Sequence, residues 1–457
     1  MSAREFRVLS PTAILGYGFP EESFRNGVAK KPDLIACDAG STDPGPYYLG
    51  SGKSFTDRAF VKRDLTFMLV EGVRRGVPVV VGTAGGSGAA PHLAWCRSII
   101  EEIAREQNLS FTMGVIASDV SKQTVKAALA AGRIQALPFV PTLDGKAIDE
   151  SPHIVAQIGC EPLQKALAAG CNVVLAGRCY DPANFAALPI MKGFPEGLCL
   201  HMGKILECGA IAATPGSGAD CAFATIFDDR FVLEALSPKR RFTRESAAAH
   251  TLYEKSDPYR LPGPGGLIDL TGCSFTDLGE GRVEVRGSRH EKTPAYWVKL
   301  EGSRRIGSRS LSIAGVRDPI MVRDIEPVLE AVRQQVRAMA GNTVAGELYF
   351  HVYGKNGVMG PGEPVRITTS HELGIVIEAI SPTQEQADTL VSVTRSTLLH
   401  YGYPGRISTA GNLAFPFSPS DIRAGDVYGF SIYHLMQVDD PAGFPLEVVH
   451  VRNGAKS

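Results

Sequence analysis

Residues 77–95 read VPVVVGTAGGSGAAPHLAW, and their reading decides the fold class. The valine-rich start has no polar alternation, which predicts a strand buried on both faces. Gly85, Gly86 and Gly88 follow, and a helical pattern begins after Pro91. This is a strand-to-helix junction. Glycines there let the backbone approach a ligand closely, and a helix start offers unpaired N–H groups to an anion. GTAGGSG lacks the Gly-Lys-Ser/Thr of a Walker loop and is not GxGxxG. The expectation is a generic cradle for a carboxylate or phosphate, with Thr83 and Ser87 as further donors. The alternative is a tight turn that holds nothing.

The same alternation extends in both directions. FRVLSPTAILG, PDLIACDAG, SFTMGVIASD and CNVVLAGRC read as further buried strands. RDLTFMLVEGVRRG, HLAWCRSIIEEIAREQ, SKQTVKAALAAG and HIVAQIGCEPLQKALAAG carry apolar residues at helical spacing. Three of these stretches end in Gly76, Gly132 and Gly170, the usual residue just past a helix. The fold class is therefore α/β, with an open, doubly wound, mostly parallel sheet forming a Rossmann-like domain over residues 1–220. Beyond it, CAFATIFDDRFVLEAL predicts a hairpin around Asp228 and Asp229, and SAAAHTLYEKSDPY a short helix. GRVEVRG, AYWVKLEG and SRSLSIAG predict an antiparallel sheet, closed by the helix DIEPVLEAVRQQVRAMAG. Residues 221–341 are expected to form an α+β domain. Residues 342–457 are expected to form a small C-terminal α+β unit: two strands, a helix and an irregular tail.

Composition narrows the function. With 47 basic and 48 acidic residues the formal net charge is −1, which offers no basic face for nucleic acid. The local run SPKRRFTR reads as a solvated turn. No stretch reaches the roughly 20 apolar residues of a membrane span. The N-terminal MSAREFRVLSPTAILG has no signal-peptide pattern, so a cytoplasmic location is expected. The nine cysteines are scattered and never spaced CxxC, as reduced core thiols would be.

In an open parallel sheet, ligands bind beyond the carboxyl ends of the strands. Those ends carry Asp38, the glycine junction, Ser118 with Asp119, and GRCYDPANF with Arg178 and Asp181. Asp38 is a candidate acid or base. Asp43, in the turn sequence TDPG, reads as structural. Arg178 suits carboxylate recognition, or else pairs with Asp181 to order its loop. In HMGKILECGAIAATPGSGAD, Glu207 is a candidate base near Lys204, although a solvated helix glutamate has the same pattern. Cys208 has no histidine beside it in sequence, which makes a nucleophilic thiol a weak reading. His92 reads equally as packing, capping or catalysis. Lys355 and Asn356 sit in a Gly/Pro loop, where they reach an acidic substrate or build a turn. No histidine pair has metal-ligand spacing, and the metal is left unknown, with Mg²⁺ through Asp38 and Asp181 not set aside.

Several of these phrases resemble the acyclic terpene utilisation AtuA family. They are ILGYGFPEESF, PDLIACDAGSTD, VVVGTAGGSG, VVLAGRCYDPAN, GKILECGAIAA and HTLYEKSDPYRLPGPGGLIDL, spread over residues 14–270, with AGVRDP near 314. Lys204 stands where the family pattern has a histidine before LECG, and Thr83 and Ala84 where it has Asn-Ala. These departures bear on substrate more than on fold. YGKNGVMGPGEP and GDVYGFSIYH are similar to the small companion protein often encoded beside AtuA, here fused. The resemblance implies catabolism of branched or acidic carbon skeletons, as acids or coenzyme A thioesters, and assigns no catalytic residue.

The resulting expectation is a hydro-lyase acting on a small carboxylic acid or acyl-CoA. Arg178 and the glycine cradle hold the acid group. Gly85 and Gly86 N–H groups stabilise enolate charge, and Asp38, Asp181 or Glu207 moves the proton. Lys355 closes the site. A homo-oligomer is expected, with no redox cofactor and no nucleic-acid or membrane partner. The rivals are a hydrolase of an amide, lactone or thioester, and a non-catalytic acyl-binding subunit.

Overall fold

The computed structural model describes residues 4–41, 44–253, 255–341, 344–452 and 455–456. Asp43, read from sequence as a turn residue, lies outside them. Five parallel strands form the centre of the main sheet. In spatial order they are Phe6–Ser10, Leu34–Gly40, Val79–Gly86, Val173–Ala176 and Phe111–Ile116. All five were legible as strands. Their neighbouring residues point to opposite cores, as a pleated strand requires. Val8, Leu34, Val80 and Val174 pack on one side with Leu163, Phe185 and Leu198. Leu9, Ile35, Val79 and Val173 pack on the other with Phe24, Leu65 and Ile99. Both faces are thus covered by helices, which explains why the strands read as unbroken apolar runs. Each such fully buried side chain contributes about 1.5–3 kcal/mol.

The helices begin and end on the expected signals. Asp57 caps Arg58–Arg75 by accepting from the Ala59 and Phe60 N–H groups, and Gly76 closes it with φ +69°. One helical expectation fails at its start. In HIVAQIGCEPLQKALAAG, Ile154–Gln157 is a strand and only Cys160–Ala168 is helical. The short apolar run instead pairs antiparallel with residues 299–302 of the strand Tyr296–Val316.

The domain boundaries also differ from the sequence expectation. The chain divides into Met1–Arg304 with Phe430–Ser457, and Arg305–Gly429. Position 220 is not a boundary, because the hairpin strand Ala222–Ile226 pairs antiparallel with Phe6–Ser10 and extends the same sheet. Arg230–Ala235, Arg282–Arg286 and Ser274–Gly279 follow outward. The tail is not irregular either. Asp421–Val438 is a strand, and Leu446–Arg452 pairs antiparallel with Phe111–Ile116 on the sheet's other side. The sheet is therefore mixed, parallel at its centre and antiparallel at its flanks.

The second unit is a small α+β body. Leu373–Ser381 lies between Glu347–Tyr353 and residues 308–316, all antiparallel. Ile325, Val332 and Val391, from the helices Ile325–Ala340 and Gln384–His400, share its core with Ile375 and Ile377. No helix among the described residues is long and apolar enough to cross a membrane.

Candidate functional site

Three adjacent parallel strands deliver the site. Asp38 stands near the end of Leu34–Gly40, Thr83 near the end of Val79–Gly86, and Arg178 just beyond Val173–Ala176. A cavity of about 1020 Å³ opens there in the first unit, bordered by Asp38, Arg178, Asp181, Lys204 and Glu207. Four residues singled out from sequence are thus brought together: Asp38, Arg178, Asp181 and Glu207.

Arg178 is the hub. Its guanidinium donates to Glu301 at 3.0 and 3.4 Å, to Asp181 at 2.9 Å and to Thr83 Oγ1 at 3.3 Å. Both sequence readings of Arg178 now have a structural basis, since it pairs with Asp181 and still borders the cavity. Thr83 is held in a left-handed conformation, φ +53°, which a β-branched residue adopts only when its surroundings impose it. Arg178 and the Cys179 N–H, both donating to its hydroxyl, impose it. Gly40 must be glycine because a Cβ there would lie 2.0 Å from the Thr83 methyl.

The glycine junction does not form the expected anion cradle. A Cβ on Gly85 would meet His92, one on Gly86 would meet the Phe55 ring at 2.5 Å, and one on Gly88 would meet the Arg178 backbone at 2.0 Å. The Ala90 N–H, at the helix start, already donates to Asp119 at 3.1 Å. The Cβ side of each glycine is therefore occupied by the protein's own groups, and Gly85, Gly86 and Ser87 are not among the described residues that border the cavity. Their role here is close packing of helix, strand and the Arg178 loop.

The electrostatics separate the carboxyls. Burial pushes Asp38 well above the usual carboxylate range; Asp181 adds to this and Arg178 opposes it. Asp38 Oδ1 is buried with no protein hydrogen-bond partner. Burial pushes Glu207 up to about 7, against the pull of Lys204 and with the push of Asp181. Lys204 donates to Glu207 Oε1, while Oε2 is buried without a partner. Burial pulls Lys204 down, but the Glu207 carboxylate outweighs it and keeps the ammonium charged. The helix Glu196–Leu206 buries Lys204, and Glu207 follows directly at its end, so the solvated-glutamate reading does not hold.

Other candidates fall away. Lys355 and Asn356 belong to the second unit, in a turn after Glu347–Tyr353. Lys355 donates to Thr368 at 3.1 Å and Asn356 to Glu326 at 3.3 Å. They build that turn; neither is among the described residues bordering the cavity. The His92 Nε2 lies 3.1 and 3.0 Å from the Tyr48 and Lys53 carbonyls, as a packing residue would. Cys208 borders the cavity, but burial and then Glu207 push its thiol well above the usual range. Among the described residues no three His, Cys, Asp or Glu side chains gather as metal ligands. Asp181 is tied to Arg178 at 2.9 Å.

Sequence reasoning passed over Lys255, Lys299 and Glu301. Lys299 and Glu301 alternate on the strand Tyr296–Val316, so they share one face, and a Lys-x-Glu step in an apolar strand was a usable signal. Arg178 and Lys299 hold Glu301 ionised, its carboxyl at about 2 despite burial. Lys255 lies in SAAAHTLYEKSDPY, read from sequence as a short helix, but the helix ends at Thr251 and Lys255 falls beyond it.

A family model for the acyclic terpene utilisation family protein AtuA matches residues 53–223 and 231–416. The chain belongs to the AtuA family. Asp181, Arg178, Glu207 and the Lys299 strand all fall within the AtuA match, while Asp38 precedes it. The match also runs through most of the second unit, including residues read from sequence as similar to the companion protein. Neither a curated protein nor a solved structure matches the chain.

Proposed function

We propose that this AtuA protein is a catabolic enzyme, a hydro-lyase that adds or removes water beside the carbonyl of a small carboxylic acid or its coenzyme A thioester. One observation carries the reading. Asp38 and Glu207 are buried carboxyls on one cavity, each with an oxygen that no protein group satisfies; burial raises both, with Arg178 opposing it at Asp38 and Lys204 at Glu207. Carboxyls set apart by their surroundings are the usual signature of an acid and a base sharing a site.

In the dehydrating direction, ionised Glu207 takes the proton from the carbon next to the carbonyl. Protonated Asp38 gives its proton to the departing hydroxyl, which leaves as water, and the electron pair of the broken C–H bond becomes the carbon–carbon double bond. Hydration runs the same transfers backward. Asp181 acts on both, since its negative charge raises each carboxyl. With Gly85 and Gly86 absent from the cavity's described lining, charge developing on the carbonyl oxygen falls to the cavity's cations.

The test is incubation with hydroxy and unsaturated acids, free and as thioesters, in deuterated water. Carbon-bound deuterium next to the carbonyl, with gain or loss of water, is the expected result. Cleavage with solvent oxygen in the acid would instead indicate a hydrolase. Tight binding without turnover would indicate an acyl-binding subunit.

A further inference from the structure

The cations around the cavity are not equivalent. Arg178 is occupied by Asp181 and Glu301. Lys299 lies 2.8 Å from Glu301 and donates to the Tyr433 hydroxyl at 3.2 Å. Lys204 is bound to Glu207. Arg260, toward the exposed side, pairs with Glu291 at 2.6 Å. Lys255 also borders the cavity, half-buried, and its ammonium has no hydrogen-bond or ion-pair partner among the described residues.

We propose that Lys255 receives the carboxylate of a free, singly charged acid, whose hydrocarbon chain lies along the wall formed by Ile14, Leu137, Ile211, Trp297 and Leu435. The inference rests on reading this cavity as the substrate site, and it narrows the substrate from acid or thioester to the free acid.

The pairing of the cavity's charges supports it. Arg178 contacts Asp181 and Glu301, Lys204 contacts Glu207, and Lys299 contacts Glu301. The cavity's remaining carboxylate, Asp257, accepts from the Tyr259 and Arg260 N–H groups, so Lys255 is the cation left without a contacting carboxylate among the described residues. Burial, and then the neighbouring Lys204 ammonium, pull Lys255 below the usual lysine range. That strain is relieved by an anion, and a carboxylate makes a charge-assisted hydrogen bond to an ammonium. A coenzyme A group would bring several phosphate charges to a cavity with a single unpaired cation.

Octanoate and the uncharged octanamide separate the alternatives in direct binding by calorimetry, with no turnover needed. The full-length protein should bind octanoate at least 10-fold more tightly than octanamide. Lys255→Met should remove that preference and leave octanamide binding unchanged, and Lys255→Arg should keep most of it. Octanoate binding should also weaken toward alkaline pH earlier than for an ordinary lysine. Equal binding of the two ligands by the wild type, no binding of either, or an unchanged preference in Lys255→Met would each overturn the assignment. A Lys255-dependent preference in a protein that exchanges no deuterium with any acid would keep Lys255 and remove the hydro-lyase reading instead.

Discussion

Arg178 and Glu301, 123 positions apart, meet as a buried ion pair that ties the loop beyond Val173–Ala176 to the strand Tyr296–Val316. Breaking one side of such a pair strands the other charge in a dry site, at a cost of about 3–5 kcal/mol. Glu301→Gln should therefore lower stability by about that amount in urea or guanidinium unfolding. Its pH dependence has a definite sign. Glu301 is held at about 2, below its unfolded value, so its contribution is present above roughly pH 4.5 and is lost as pH falls toward 2. Acid unfolding across that window should be shallower in the variant.

Asp38→Asn tests the acid. Burial already disfavours the charged carboxylate at this position, so the isosteric amide should leave thermal stability nearly unchanged. Water addition or loss should slow by about 10²–10⁴-fold, the usual worth of a positioned proton donor. A fully active Asp38→Asn would remove Asp38 from the chemistry.

Glu207→Gln tests the base. Deuterium exchange in the wild type should rise with pH through about 7, as Glu207 loses its proton. The variant should lose that limb together with most of the exchange. If the limb persists in Glu207→Gln, another group owns it.

The glycine junction offers a packing test. Gly86→Ala places a methyl group against the Phe55 ring at a φ of +101°, and unfolding should become easier by several kcal/mol. Gly132→Ala has a comparable left-handed φ of +70° with open space around it, so only backbone strain of about 1 kcal/mol is expected. The contrast, read from denaturant midpoints, separates crowding from strain.

What the sequence disclosed follows from which interactions are local. The five central strands were readable because burial on both faces leaves them continuously apolar. Asp38 and Arg178 were found because the ends of parallel strands converge. The glycine junction misled because a left-handed glycine accommodates a ligand or a neighbour equally well, and its neighbours, Phe55 and the Arg178 backbone, come from elsewhere in the chain. Ile154–Gln157 was taken for helix because a four-residue apolar run has too little length to show a period. Lys255 was missed because SAAAHTLYEKSDPY reads as a short helix, and nothing local records that the ammonium borders a cavity without a partner among the described residues.

Leu446–Arg452 gives the main sheet a border made long after the strand it covers. Thr112 and its contact His450 are separated by 338 positions, so the hydrogen-bonding rim of Phe111–Ile116 stays bare while most of the polypeptide is translated. A nascent or clipped molecule ending before residue 446 would present that rim to any passing strand, a route to intermolecular pairing. Proteolysis just before Leu446 should therefore be felt as aggregation before it is felt in the chemistry.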